Sequence, residues 1–122
     1  MIAREKVLVA NRGEVAIRVI RACREMGIAC VALHSEPDRM APHVRLADQA
    51  VGIEGSLPSE TYLDHAKILA AAKAVGATML HPGYGFLSED PSFREACDAA
   101  GVRFIGPTAA QMRQLSHKLP AR

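Results

Sequence analysis

Cysteine is scarce in this chain and poorly arranged for structural chemistry: Cys23, Cys30 and Cys97 form an odd set without a Cys-x-x-Cys pair. That pattern argues against a disulfide framework and a zinc ribbon, and it fits a reducing compartment. An excess of either charge is missing too, with 15 Lys plus Arg against 13 Asp plus Glu among 122 residues. No strong field exists to recruit nucleic acid or an anionic membrane, which leaves small molecules and proteins as the expected partners. No apolar run approaches the roughly 20 residues needed to span a bilayer, and the N-terminus lacks the basic segment plus apolar stretch of a secretory signal. The chain reads as soluble and cytoplasmic, or as a mitochondrial matrix protein if eukaryotic. Its hydrophobic share of 49% suits one ordinary core and one domain.

What is present is a regular alternation of short apolar runs and helical segments. The runs are Val7 to Ala10, Ile28 to Leu33, Ala50 to Ile53, Thr78 to Leu80 and Val102 to Ile105. They are continuous rather than alternating, as expected of strands covered on both faces, so a mainly parallel sheet of about five strands in an α/β fold is expected. A first helix, about Arg12 to Met26, puts Ala16, Val19, Ile20 and Cys23 on one stripe, and Gly27 stops it. A second covers about Asp64 to Val75, with Ile68, Ala71, Ala72 and Val75 inward. A third starts at Asp90-Pro91, an N-cap followed by proline, and ends at Gly101. Thr108 and Gln111 have capping-box spacing, so a last helix is expected to run towards Leu115. Ser116 to Arg122 leaves the core pattern and reads as the start of a linker, with a disordered tail as the alternative.

Ligands of open parallel sheets bind outside the carboxyl ends of the strands. The segments there are Asn11 to Glu14, His34 to Asp38, Glu54 to Pro58, His81 to Glu89 and Gly106 to Thr108, each with a Gly or Pro and a polar side chain. The first turn contains Gly13 alone, and both Gly-x-Gly-x-x-Gly and the P-loop pattern are missing, so Gly13 reads as a turn or packing residue rather than a phosphate cradle. The most distinctive segment is His81-Pro82-Gly83-Tyr84-Gly85-Phe86-Leu87-Ser88-Glu89. Its glycines permit tight turns that can hold the phenol in place. From the residues alone, two readings stay open: a ligand-contacting loop, or a rigid corner in which Tyr84 and Phe86 cover the sheet end.

That nine-residue segment, together with Ala10-Asn11-Arg12-Gly13-Glu14-Val15-Ala16-Ile17-Arg18, Arg21-Ala22-Cys23 and Phe104-Ile105-Gly106-Pro107, resembles the N-terminal domain of the biotin carboxylase component of biotin-dependent carboxylases. The resemblance covers nearly the whole chain. It implies a three-layer Rossmann-like (pre-ATP-grasp) domain over residues 1–115, with 116–122 beginning a linker to an absent ATP-grasp domain. It implies an ATP-dependent ligase in which ATP activates bicarbonate as carboxyphosphate and the carboxyl group passes to N1′ of biotin, with Mg2+ accompanying the ATP. In such enzymes the catalytic arginine, the bicarbonate-contacting lysine and the metal-binding acids belong to later portions, so neither catalytic nor metal-binding residues are expected in this chain. No cofactor is expected to bind it tightly.

By the same resemblance Lys118 matches an ATP-contacting lysine, although the usual Gly-Asp-Lys reads Ser116-His117-Lys118 here. Tyr84 and Glu89 match residues bordering the biotin pocket, in a shaping role. Arg18, Arg21 and Glu25, on the polar face of the first helix, match positions at a homodimer interface. As a plain solvated face, the same helix would allow an Arg21 to Glu25 pair worth only about 0.2–0.5 kcal/mol. The implied partners are the rest of the biotin carboxylase, a biotin carboxyl carrier protein and a carboxyltransferase. The alternative function is a non-catalytic binding module that associates with a separate ATP-grasp chain.

Overall fold

The computed structural model describes residues 5–106. Five strands, β1 (Lys6–Val9), β2 (Ala29–His34), β3 (Gln49–Gly52), β4 (Met79–His81) and β5 (Arg103–Phe104), form one sheet in the order β3-β2-β1-β4-β5. Every neighbouring pair is parallel. The central β1 pairs Leu8 with Val31 on one side and with Leu80 on the other. Among the described residues the α-helices are α1 (Gly13–Glu25), α2 (Pro42–Leu46), α3 (His65–Val75) and α4 (Pro91–Ala100).

The alternation of side chains along β1 divides the interior into two layers of core. Val7 and Val9 face α1, where they pack with Ala16, Val19, Ile20 and Cys23; Val44 and Leu46 of α2 close the same side. Leu8 and Ala10 face the other way, into a larger cluster with Ile68 and Ala72 of α3 and with Phe93 and Cys97 of α4. The result is the expected three-layer α/β sandwich. Val75 sits at the margin of the second cluster, partly buried. Burial of a side chain such as Leu8, Phe93 or Ile68 contributes about 1.5–3 kcal/mol.

Local chemistry accounts for the helix ends. Asp64 caps α3 by accepting the Lys67 amide at 3.0 Å, and Asp90 caps α4 by accepting from Ser92 and Phe93. Gly101, at φ +77°, ends α4 in the left-handed conformation, and the Val102 amide returns to the carbonyl of Cys97. α1 ends just before Gly27, as its sequence indicates.

The short helix α2 was not anticipated, nor was the 3-10 turn Pro58–Glu60. Both are too short for a hydrophobic period to register. α2 does begin with proline at its first position, and its His43 is completely buried. All three cysteines are free and buried. Burial pushes the Cys97 thiol up to about 12 and the Cys23 thiol up to about 11, so both are inert at neutral pH. No helix among the described residues is long and apolar enough to cross a membrane. The expected helix from Thr108, the linker from Ser116, and Lys118 lie outside the described residues.

Candidate functional site

Two post-strand segments, 11–14 and 81–89, meet at the carboxyl edge of the sheet because β1 and β4 are neighbours. Asn11, only 3% exposed, makes the junction. Its Nδ2 donates to the carbonyls of Pro82 at 2.7 Å and Tyr84 at 2.8 Å, while its Oδ1 accepts the Arg12 amide at 2.8 Å. One amide side chain thus satisfies two carbonyls that could not pair within a strand or helix. Gly83 permits this approach. A Cβ there would lie 2.5 Å from Cγ1 of Val15 and 2.9 Å from Nδ2 of Asn11, and the residue has φ +69°. His81 completes the turn, accepting the Gly83 amide on Nδ1 at 3.0 Å. That bond requires an unprotonated Nδ1, and burial holds the imidazole pKa below its ordinary value.

A second anchor lies next to Asn11. Arg12 grips Asp38 with two charge-assisted bonds, Nε to Oδ2 at 2.7 Å and Nη2 to Oδ1 at 2.9 Å. The Tyr62 hydroxyl donates to Asp38 Oδ2 at 2.7 Å and accepts the Ser35 amide at 3.0 Å. Hydrogen bonding from Arg12 chiefly, opposed by desolvation and reinforced by Tyr62, lowers the Asp38 pKa to about 2. The ring of Tyr62 stacks on Phe86, with centroids 5.4 Å apart and planes 12° apart. Phe86 has φ +44°, the one positive value among described residues other than glycine. Such a conformation in a bulky residue costs on the order of 1–3 kcal/mol and persists where its surroundings hold it.

This arrangement treats the two aromatic side chains of the loop differently. Phe86 is half-buried against the core and covers the sheet end, whereas Tyr84 is 74% exposed and covers nothing. Glu89 is also exposed, just ahead of the Asp90 cap, and neither the Tyr84 nor the Glu89 side chain is hydrogen-bonded among the described residues. The loop therefore presents a phenol and a carboxylate to solvent from a rigid base. His34, Glu36, Arg39 and Glu54 line a separate hollow of about 330 Å³ at the ends of β2 and β3. Among the described residues no group of three or more His, Cys, Asp or Glu could hold a metal ion.

Arg18, Arg21 and Glu25 are all exposed on α1, away from its buried stripe. The ion pair on this face is Arg18 with Glu14 at 3.4 Å, rather than Arg21 with Glu25. Acid-first order is the favourable one for a pair at this spacing, which explains the choice. Sequence reasoning assigned no role to Asn11, Arg12, Asp38 or Tyr62. Asn11, Arg12 and Asp38 at least follow strands directly; Tyr62 offered no signal, because its partners are brought to it by the fold.

Fold and site together define a parallel α/β domain whose carboxyl edge carries a braced loop that exposes a phenol and a carboxylate. Residues 3–112 match the family model described as biotin carboxylase, N-terminal domain, and the chain belongs to that family. The biotin-dependent acyl-coenzyme A carboxylase alpha3 subunit of Mycobacterium leprae is 53% identical over 117 residues, which is 96% of this chain and 20% of the relative. The biotin carboxylase of Pseudomonas aeruginosa is 48% identical over 118 residues, 97% of this chain and 26% of the relative. Among solved structures, pyruvate carboxylase from Rhizobium etli aligns with a TM-score of 0.88 at 46% identity, covering 94% of this chain and 11% of that one. The biotin carboxylase domain of a thermophilic 2-oxoglutarate carboxylase bound to bicarbonate gives 0.86 at 48% identity, covering 92% and 25%. This chain thus spans between 11% and 26% of the length of each of these proteins.

Proposed function

We propose that this chain is the N-terminal domain of a biotin carboxylase and contributes a wall of the site where ATP and bicarbonate carboxylate biotin. The observation that carries the reading is the loop 81–89, tied down by Asn11 and holding Tyr84 exposed at the carboxyl edge. Tyr84 and Glu89 shape and orient the biotin ring. The chemistry itself, formation of carboxyphosphate and transfer of its carboxyl group to N1′ of biotin, is assigned to groups supplied by ATP-grasp and C-terminal portions. Lys118 serves as a contact for ATP, and the exposed Arg18, Arg21 and Glu25 serve a homodimer interface. A biotin carboxyl carrier protein and a carboxyltransferase are the downstream partners.

The test is a pair of assays. The 122-residue chain alone is expected to release no ADP in the presence of ATP, Mg2+ and bicarbonate. Substituted for the N-terminal portion of the Pseudomonas aeruginosa biotin carboxylase, it is expected to support carboxylation of biotin. ADP release by the chain alone, or a folded chimaera without activity, overturns the proposal.

A further inference from the structure

The Asn11 and Arg12 anchors are neighbours in sequence, and each reaches the loop 81–89 by a different route. Asn11 holds the carbonyls of Pro82 and Tyr84 directly. Arg12 holds Asp38, Asp38 holds the Tyr62 hydroxyl, and the Tyr62 ring lies against Phe86. The contacts close a circuit, from the β1–α1 turn through the start of the loop to its middle and back. Phe86 is the point where this circuit acts. Its left-handed backbone separates Tyr84, which is 74% exposed, from Leu87, which is 3% exposed, so its conformation sets which side chain the loop turns outward.

We infer that Tyr62 and Asp38 are positioning residues for Tyr84 and Glu89, and through them for biotin; the inference rests on the biotin carboxylase reading above. Tyr62 is 2% exposed, deep enough that a purely packing role would be served by phenylalanine. Instead its hydroxyl is saturated, with one bond given and one received, and its donor bond ends on a carboxylate already gripped by both ends of an arginine fork. Those four bonds fix the height and the tilt of the ring on which Phe86 rests. Without them the ring is free to slide, and the strained backbone of Phe86 is free to relax. Tyr84 would then leave its place while the core beneath stayed intact.

The experiment uses the active chimaera described above and compares Tyr62→Phe, Tyr62→Leu, Phe86→Gly and the Tyr62→Leu/Phe86→Gly double variant. Phe86→Gly accepts the left-handed backbone but removes the stacked ring. The expected result is a KM for biotin raised roughly tenfold in Tyr62→Leu and in Phe86→Gly, within the roughly hundredfold that a misplacement of about 1 Å can cost. Tyr62→Phe, which keeps the ring and loses the hydroxyl, falls between these and the parent. Bicarbonate-dependent ATP cleavage without biotin stays within about twofold of the parent, and the double variant is no worse than either single one, as for two members of one unit. An unchanged KM for biotin in folded Tyr62→Phe and Phe86→Gly overturns the inference, as does a parallel loss of the biotin-free ATP cleavage, which marks general damage. If the parent chimaera carboxylates no biotin, it is the functional reading that fails.

Discussion

At the scale of single residues, the loop 81–89 depends on groups that hold its backbone in place. Asn11→Ala leaves the carbonyls of Pro82 and Tyr84 without their donor in a buried setting. The expected loss is about 1–3 kcal/mol, read as a drop in Tm of about 4–8 °C for each kcal/mol in a domain of this size. Gly83→Ala is expected to cost about 1–3 kcal/mol as well, since the new methyl meets Val15 and Asn11 while the backbone is held at φ +69°. A neutral Tm for either variant contradicts the close approach of the two turns. Tyr84→Ala provides the contrast. The side chain is mostly exposed and unpaired among described residues, so stability is expected to stay within about 0.5 kcal/mol of the parent in thermal unfolding.

At the scale of elements, α4 is held at its start by one carboxylate with two tasks. Asp90 Oδ1 caps the helix, and Oδ2 meets Nε2 of His65 at 3.1 Å, joining the first turns of α3 and α4. Asp90→Ala is expected to cost about 1–2 kcal/mol, whereas Asp90→Asn retains a good capping oxygen and costs a few tenths. Hydrogen exchange at Ser92 and Phe93 distinguishes the two. The elements themselves were largely legible in the sequence, for reasons visible at particular residues. Asp90-Pro91 and Gly101 mark the ends of α4, and the apolar run from Ile28 to Leu33 marks β2 because both faces of that strand are covered. α2 was not legible, since five residues contain less than two turns. The loop 81–89 was legible as a segment, yet its brace was not. Asn11 and Pro82 lie 71 positions apart, and Tyr62 and Asp38 lie 24 apart, so no local pattern pairs them.

At the scale of the whole molecule, pH acts through the buried His43 and Asp38 and the partly buried His81. His43, completely buried, uses Nε2 on the Leu33 carbonyl at 3.1 Å, and its Nδ1 has no partner. Desolvation holds its pKa below the ordinary 6.5, and burial does the same for His81. A group whose pKa is depressed on folding binds more protons when unfolded, so its stabilisation is complete above 6.5 and declines as pH falls below that value. Asp38 adds a separate loss between 3.8 and about 2, worth on the order of 2 kcal/mol. Thermal unfolding is therefore expected to show Tm falling in two stages on acidification. His43→Gln, which keeps a donor for Leu33 but cannot titrate, is expected to shallow the first stage and leave the second. A Tm that is flat between pH 7 and 5 contradicts this account of the histidines.

The central place of β1 has a consequence in time. Its two neighbours lie at very different distances along the chain, β2 following soon after it and β4 arriving some seventy residues later. Closing so long a segment is entropically slow compared with forming the β1–α1–β2 unit. The loop 81–89 cannot take its shape before β4 docks, because both of its anchors, Asn11 and Arg12, wait on the far side of that gap. During refolding, the β1–β2 half of the sheet is expected to form before the loop 81–89 is ordered, and that ordering is expected to follow the pairing of β1 with β4 rather than collapse.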